Sequence, residues 1–510
     1  MRIGVLALAC VPLASCERTH TSDGEKLART YCAACHAFPE PQLLDKQTWR
    51  SGVLPQMAQR LGVGAQSQSL SQAMSRDPLM AVLPGGIAEK DWEKIVEYYL
   101  ASAPDKLPDQ SLPAQPQIDR GFFRPQPFAP GLKSSGITTL LKIDSAHQRI
   151  FVGDAGANTL SVFDWNRRLL STLTLGSPPT DLVVDKETVL VLESGILNPN
   201  DQPRGKLVRY DFAGHNSLTY PIVVIDSLYR PVFFRQFDFD GDGRDEFVIC
   251  EFGDNRGRLA LYKYDGAKYQ RQVLDPTPGA IRFELHDMTG DGFPDIVALF
   301  AQADERIELF ENDGKGTFSG ARRILARFPP VYGSMYFSMH DFNGDGRLDI
   351  LYVNGDNFDY SRVLKPYHGI RILENDGHNN FRQRYFFSIY GAAQAVVADF
   401  DKDGDLDIMT TSNFADVEKH PERGIMYFEN TGQYNFRPYA FTAASGNQWN
   451  VMATGDLNGD GWPDVIVGAM NLGSIATLQR QYSAPALATA KDPVLFFENT
   501  MRPQSTQGVY

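Results

Sequence analysis

Residues 341–353 read DFNGDGRLDILYV, and this pattern of acidic residues and glycines before an apolar run recurs five times from residue 238 onward. The copies begin 49, 54, 58 and 57 residues apart. A period near 50 residues is typical of a propeller or a similar array, in which each copy forms one unit of structure. The five copies begin at Asp238, Asp287, Asp341, Asp399 and Asp456.

Each copy carries oxygen-bearing side chains at its first, third, fifth and ninth positions. Such side chains can converge on one hard cation, a glycine at position six permits the turn, and carbonyls or water complete six or seven oxygens. The glutamate of an EF-hand is absent from position 12, and strand-like apolar runs follow. The alternative is an Asp-Gly turn that needs no metal. We expect up to five Ca²⁺ ions, one in the loop of each copy. The expected ligands are Asp238, Asp240, Asp242 and Glu246 in the first copy; Asp287, Thr289, Asp291 and Asp295 in the second; Asp341, Asn343, Asp345 and Asp349 in the third; Asp399, Asp401, Asp403 and Asp407 in the fourth; and Asp456, Asn458, Asp460 and Asp464 in the fifth.

A second string, an apolar residue followed by Glu-Asn, recurs at residues 310–314, 373–377, 428–432 and 497–500. Asn and Gly after an apolar run predict a tight turn between strands. Together the two strings resemble FG-GAP or VCBS repeats, the blades of integrin-like propellers, over about residues 137–499. Two earlier units, 136–165 and 179–212, show strand spacing without the acidic loop. The resemblance implies an all-β propeller, for which seven blades fit best and six or eight remain alternatives.

The N-terminal part contains the string Cys32-Ala-Ala-Cys35-His36. Two cysteines at this spacing can form thioethers with the two vinyl groups of one haem, and the histidine is then placed as the proximal iron ligand. The alternatives are a redox C-x-x-C pair or a chance match. With the helical patterns around it, the string resembles a class I cytochrome c domain, which implies a small all-α domain with one covalent haem c.

A His/Met haem needs a thioether as its sixth ligand. Met57, Met74 and Met80 are the methionines available in this part of the chain. The stretch from Trp49 to Met57 resembles that of cytochrome domains fused to propellers, so we expect Met57 to be the ligand, with Met80 and Met74 as alternatives.

Three helices are expected in this part, each from apolar residues at helical spacing. The first runs from Thr21 to Cys32 with Ser22 as its N-cap. The second, Lys46 to Leu61, should break near Leu54 because Pro55 interrupts it. The third runs from Asp91 to Ala101.

The first 15 residues have one positive charge, a short apolar run and small residues at the end, which describe a secretory signal. Residues 13–16 (LASC) resemble a bacterial lipobox, which implies cleavage before Cys16 and a lipid on its thiol. An ordinary signal peptide with a stray cysteine is the alternative. Glu17 favours the outer over the inner membrane. The expected location is a lipid-anchored position on a bacterial membrane, facing the periplasm or the exterior.

The chain is therefore divided into a signal peptide (1–15), a cytochrome c domain (16–103), a Pro-rich linker (104–131) and a propeller (132–510). The linker should let the haem domain move. The formal net charge of −13 and the lack of a basic cluster argue against nucleic-acid binding. Cys250, in an apolar run, is expected to be buried without a disulfide.

The favoured function is that of a membrane-tethered electron-transfer protein that meets a redox partner protein in the periplasm or at the cell surface. The alternatives are an oxidoreductase whose propeller binds a small organic substrate, and a module for adhesion or glycan binding. No catalytic residue is assigned. His286 and His340, each one residue before a loop, should form hydrogen bonds within the adjacent loop or strand.

Overall fold

The computed structural model describes residues 22–63, 86–130, 132–185, 187–213, 217–218, 221–356, 363–471 and 492–502. Within these residues the chain forms seven β-sheets, each built mainly from four consecutive antiparallel strands. The expected seven-bladed propeller is therefore confirmed. Cys16, Met74 and Met80, to which predictions were attached, lie outside the described residues.

The strands of the first four blades follow each other along the chain. Blade one contains β3 (Thr138–Asp144), β4 (Arg149–Asp154), β5 (Thr159–Asp164) and β6 (Leu169–Thr174). Blade two contains β7 (Pro179–Asp185), β8 (Thr188–Glu193), β9 (Gly205–Ala213), β10 (Ser217–Leu218) and β11 (Ile222–Leu228). Blade three contains β12 (Pro231–Phe237), β13 (Glu246–Glu251), β14 (Arg258–Tyr264) and β15 (Tyr269–Asp275), and blade four contains β16 (Ala280–His286), β17 (Asp295–Phe300), β18 (Arg306–Phe310) and β19 (Arg322–Arg327).

The last three blades continue the pattern. Blade five contains β20 (Ser334–His340), β21 (Asp349–Asn354), β22 (Gly369–Asn375) and β23 (Phe381–Ser388). Blade six contains β24 (Ala392–Ala398), β25 (Asp407–Ser412), β26 (Ile425–Asn430) and β27 (Phe436–Ala440). Blade seven contains β28 (Trp449–Gly455), β29 (Asp464–Ala469) and β30 (Val494–Asn499). The acidic loops join the first and second strands of blades three to seven. Every residue of the second strands in these blades is buried, because neighbouring blades cover both faces.

Two strands from the segment predicted as a linker complete the ring. Strand β2 (Phe123–Pro127) pairs antiparallel with β30 and supplies the outer strand of the seventh blade, and β1 (Gln117–Ile118) pairs parallel with β27 in the sixth. The last blade thus combines strands from both ends of the propeller, which closes the ring. Residues 117–127 belong to the propeller rather than to a free spacer, and Phe123 is buried in its core.

The N-terminal helical domain contains α1 (Asp23–Cys32), α2 (Lys46–Thr48), α3 (Leu54–Arg60) and α4 (Glu89–Ser102), with a π-helical turn at Trp49–Val53. Short 3₁₀ turns lie at Pro41–Leu43, Pro421–Gly424 and Thr442–Ala444. The Ser22 hydroxyl accepts a hydrogen bond from the Glu25 amide at 3.1 Å, which confirms the expected N-cap. The expected break before Pro55 takes the form of the π-turn.

Helices α1 and α4 pack closely where they meet at Gly24. A Cβ atom at this position would lie 2.3 Å from the Lys94 carbonyl oxygen, so the contact requires glycine. Ile95 and Tyr99 of α4 are buried in the core of this domain together with Trp49. Among the described residues, the helices are too short or too polar to cross a membrane.

Candidate functional site

The five acidic loops share one backbone geometry. In each loop the amide of position five donates to the carboxylate of position one at 3.1 Å. The glycine amide at position six donates to the other oxygen of the same carboxylate, at 2.8 to 3.1 Å. These glycines have positive φ, between 81° and 99°, which favours glycine over residues with a Cβ. The loops are therefore built by local sequence in the same way.

In four of the five loops the acidic side chain at position nine ties the loop to the sheet behind it. Asp295 accepts hydrogen bonds from the amides of Met288, at loop position two, and of Asn312, at 2.9 and 2.8 Å. Asn312 belongs to the recurring Glu-Asn string. The matching bonds from Asn375, Asn430 and Asn499 are 2.7 to 2.9 Å long. The second string therefore orients the loop carboxylate, a role that the turn interpretation did not predict.

The carboxylates of positions one, three and nine converge in the two loops where all three are acidic. Ligand oxygens of Asp238, Asp240 and Glu246 lie within 4.8 Å of one another, as do those of a second set. The second set is Asp399, Asp401 and Asp407. The side chain at position five instead accepts from the amide of position seven, at 2.9 Å in all five loops.

Crowding of these carboxylates changes their acidity. Burial, together with the charge of Asp403, raises the pKa of Asp401 to about 6. Burial, with the charge of Asp401, raises the pKa of Asp407 to about 7. Burial likewise raises the pKa of Asp464 to about 6, with Asp460 and Asp456 adding to the effect. A bound divalent cation would relieve this cost, and the oxygen-only donor set suits a hard cation.

The haem-type or attachment string, residues 32–36, begins at the last residue of α1. Cys32 and Cys35 are free thiols, the first partly buried and the second exposed. His36 Nδ1 lies 2.9 Å from the Ala37 carbonyl oxygen, so this nitrogen carries the hydrogen and Nε2 keeps its lone pair. Burial lowers the pKa of His36, which keeps the imidazole neutral. A neutral imidazole with a free Nε2 is the state in which histidine ligates iron.

Buried aromatic side chains hold the segment after His36 in place. Trp49 Nε1 donates to the Pro41 carbonyl at 2.7 Å, and the Tyr99 hydroxyl donates to the Pro39 carbonyl at 2.9 Å. Met57 is partly buried and packs against the same cluster as Cys32. The structure thus places the expected sixth ligand, Met57, against the same domain core as the first cysteine of the string. The residues present fit a covalently attached haem.

The helical domain contacts the propeller at the end opposite the acidic loops. Arg327, the last residue of β19, donates to the Cys35 carbonyl at 3.3 Å and to Asp304 at 2.6 Å. Val331, between blades four and five, is buried in the core cluster of the helical domain, and Tyr367 packs against that cluster. A freely moving domain was expected from the Pro-rich segment, but these contacts dock it through apolar burial near its haem-type string.

Polar residues on the innermost strands are bonded to one another. Arg235 pairs with Asp181 at 2.7 Å, and His286 lies 3.1 Å from a Glu284 oxygen. His340 Nε2 lies 3.0 Å from the Ser338 hydroxyl, so the expectation that both histidines bond within their strands is confirmed. These groups stabilise the centre of the ring.

Beside the docked domain, Glu305 is a buried carboxyl that sequence reasoning did not find. It accepts hydrogen bonds from the Gly333 and Ser334 amides at 3.0 and 2.8 Å, and from the Ser334 hydroxyl. Burial raises the pKa of Glu305 to about 8, although these three bonds oppose the shift. No sequence signal marks this residue, because its environment comes from the neighbouring blade.

We predict that Glu305 makes stability fall as pH rises. Its pKa in the folded chain is about 8 instead of 4.5, so between these values the folded state binds a proton that the unfolded state releases. The free energy of unfolding should then decrease by up to ~1.4 kcal/mol per pH unit. Urea melts from pH 5 to about 8 give the free energy of unfolding at each pH. Glu305→Gln should remove this contribution to its decrease with pH, and the control Glu97→Gln, at an exposed residue, should not. Equal slopes in wild type and Glu305→Gln would contradict the prediction.

Sequence comparison with protein families identifies the repeats. Residues 238–298 and 287–352 match the FG-GAP-like repeat, and residues 449–481 match the FG-GAP repeat. The chain carries FG-GAP repeats. Their fold is the seven-bladed propeller described above, and such a propeller can bind ligands. No curated protein matches the chain in a sequence search.

Solved structures resemble this chain only distantly. A chain of the S. cerevisiae complex of Dbp5 with Nup159, Gle1, IP6 and ADP gives a TM-score of 0.41 at 10% identity, covering 76% of this chain and 97% of that chain. A luciferin-regenerating enzyme gives 0.38 at 9% identity, covering 74% and 96%. The Dos1 propeller gives 0.36 at 12% identity, covering 59% and 68%. The fold assignment rests on the seven sheets and their closure rather than on this likeness.

Proposed function

We propose that this chain is an exported, lipid-anchored electron carrier, with a c-type haem on its helical domain and calcium in its FG-GAP loops. The observation that carries the proposal is the state of His36. Its Nδ1 is engaged by a carbonyl, its Nε2 keeps a lone pair, and it directly follows two free thiols at haem-attachment spacing. This combination suits a covalent haem better than a dithiol redox pair, which needs no ordered histidine.

The proposal gives each residue of the string a role. Cys32 and Cys35 form the thioethers, His36 Nε2 is the proximal ligand, and Met57 supplies the sixth ligand. A haem bound there supplies reversible one-electron transfer at its iron. Trp49 and Tyr99 hold the segment after His36, so that the imidazole keeps its orientation.

Met57→Ala tests the sixth ligand directly. If Met57 ligates, the variant should lose the weak charge-transfer absorbance of ferric methionine-ligated haem and should bind added imidazole. The control is Met80→Ala, which should keep the wild-type spectrum. The reverse result would assign the ligand to Met80.

The propeller supplies the docking platform for this domain. Arg327 touches the Cys35 carbonyl and pairs with Asp304, so its guanidinium places a positive charge beside the attachment string. A nearby positive charge disfavours the ferric state. The propeller therefore contributes to the reduction potential as well as to position.

We predict that Arg327→Ala lowers the haem reduction potential by on the order of tens of millivolts. The change removes a cation and leaves Asp304 without this partner, so both effects favour the oxidised state. The control is Arg323→Ala, which removes a charge from the same strand, because the Arg323 guanidinium bonds to His378 and Asn380 of the next blade rather than to the helical domain. Redox titration followed by absorbance measures both variants. Equal potentials for wild type and Arg327→Ala would contradict a tuning role.

The calcium part of the proposal rests on the shared loop geometry and on charge. The loops place carboxylates against one another, and their pKa values rise where no cation neutralises them. If all five loops bound Ca²⁺, the formal net charge of the chain would change from −13 to −3. Calcium would thereby stabilise the platform on which the helical domain rests.

The partner is proposed to be another redox protein, met in the periplasm or at the cell surface. The experiment adds small-molecule pools and periplasmic protein fractions separately to the oxidised, calcium-loaded chain under anaerobic conditions. Reduction of the haem only by a protein fraction is the result expected for a carrier. Reduction by a defined small molecule would replace the carrier with an oxidoreductase whose propeller binds that substrate.

A further inference from the structure

The acidic loop of the third blade differs from the other four at the strand that lies beside it. Strand register places Phe247, the first residue after the loop, opposite Tyr262, and the next residue along that strand is Lys263. In blades four to seven the equivalent position is always glutamate. These glutamates are Glu311, Glu374, Glu429 and Glu498.

Lys263 reaches into the set of carboxylates that would hold a cation. Its ammonium contacts a carboxylate oxygen of Asp240 and lies 3.9 Å from Glu246 Oε1. Both side chains belong to the group whose ligand oxygens converge within 4.8 Å, together with Asp238. The Glu246 side chain is 3% exposed and that of Lys263 is 46% exposed, so the ion pair is shielded from water on its carboxylate side. One ammonium therefore lies against two of the three converging carboxyl groups and offsets one unit of their negative charge.

The glutamates of the other blades act in the opposite direction. Glu374 Oε1 accepts a hydrogen bond from the side-chain amide of Asn343, at loop position three, at 3.4 Å. Among the salt bridges of the described residues, basic side chains reach the other loops only at position five, as Arg347 and Arg502 do. The third blade thus carries a positive charge where the other four carry a negative one.

We infer that Lys263 replaces the cation of the third blade, so that the propeller takes four Ca²⁺ ions and holds its third loop with an internal ammonium. The inference rests on the proposed calcium binding of the other loops. A divalent cation at the loop of the third blade would lie within a few ångströms of this ammonium, and like charges at that distance repel each other. The residues of this loop do not fit the ion that the repeat implies.

Calcium stoichiometry tests the inference. The chain and its variants are dialysed to equilibrium against calcium buffer. Mass spectrometry measures calcium inside and outside the dialysis bag, and the difference divided by the protein concentration gives the bound ions per chain. Wild type should bind four ions. Lys263→Glu, which installs the glutamate of the other blades, should bind five. Glu429→Lys, the reverse change in the sixth blade, should bind three, which keeps the test valid if Lys263→Glu does not fold.

Each result has one meaning. Four ions in wild type with a gain of one in Lys263→Glu, or a loss of one in Glu429→Lys, supports the internal counterion. Five ions in wild type overturns this inference and leaves calcium binding by the repeats intact. No bound calcium in wild type contradicts the calcium part of the proposed function, and the inference with it, and leaves the proposed haem site untouched.

Discussion

Removal of divalent cations with a strong chelator should lower the melting temperature of the propeller by on the order of 10 °C or more. A ligand present at 100 times its dissociation constant stabilises the folded state by ~2.7 kcal/mol per site, and several loops contribute together. The structural reason is the convergence of carboxylates, such as the partly buried Asp401 and the buried Asp407, whose charges repel when no ion lies between them. Circular dichroism or calorimetry with and without chelator measures the shift.

The same experiment contains its control. Calcium added back in excess over the chelator should restore the original melting temperature, which separates ion removal from irreversible unfolding. The variant Asp401→Asn removes one converging carboxylate from the sixth blade, and its chelator-induced shift should be smaller than that of wild type. A melt that is unchanged in strong chelator would contradict structural calcium.

Substitution of both attachment cysteines, Cys32→Ala with Cys35→Ala, should abolish covalent haem and leave the propeller folded. Both thiols are free, and neither takes part in a propeller strand. The measurement is haem staining after denaturing electrophoresis, with circular dichroism to show that the β-sheets remain. Wild type should stain and the double variant should not.

The matched control is Cys250→Ala, because Cys250 is the other free cysteine of the described residues and is fully buried in β13. This variant should keep its haem in full. The substitution should leave only a small packing defect in the third blade. Haem retained through denaturation by the double variant would contradict attachment at Cys32 and Cys35.

Local patterns made most of the fold predictable. The acidic loops and the apolar runs behind them recur at a fixed spacing, so the strands after each loop and the seven blades followed from the sequence. The buried position of Cys250 followed from its apolar neighbours in the same way. Ser22 and Pro55 marked the helix cap and the break because their backbone effects are local.

Features that depend on distant residues were not predictable. The segment with Pro125 and Pro127 reads as a spacer, yet it forms the outer strand of the seventh blade, where proline is tolerated because one edge needs no hydrogen bonds. The docking contacts of Arg327 and Val331 join parts of the chain almost 300 residues apart. The proposed role of Lys263 was predictable from the sequence, since a comparison of the repeats shows lysine where the other four blades have glutamate.

The most direct test of the proposed haem attachment is the optical spectrum of the purified chain, made in a host that matures c-type cytochromes and measured before and after chemical reduction. We expect one haem per chain that stays attached in denaturant and that is reduced and reoxidised reversibly. A colourless chain, from a host in which a control c-type cytochrome is matured normally, would contradict it.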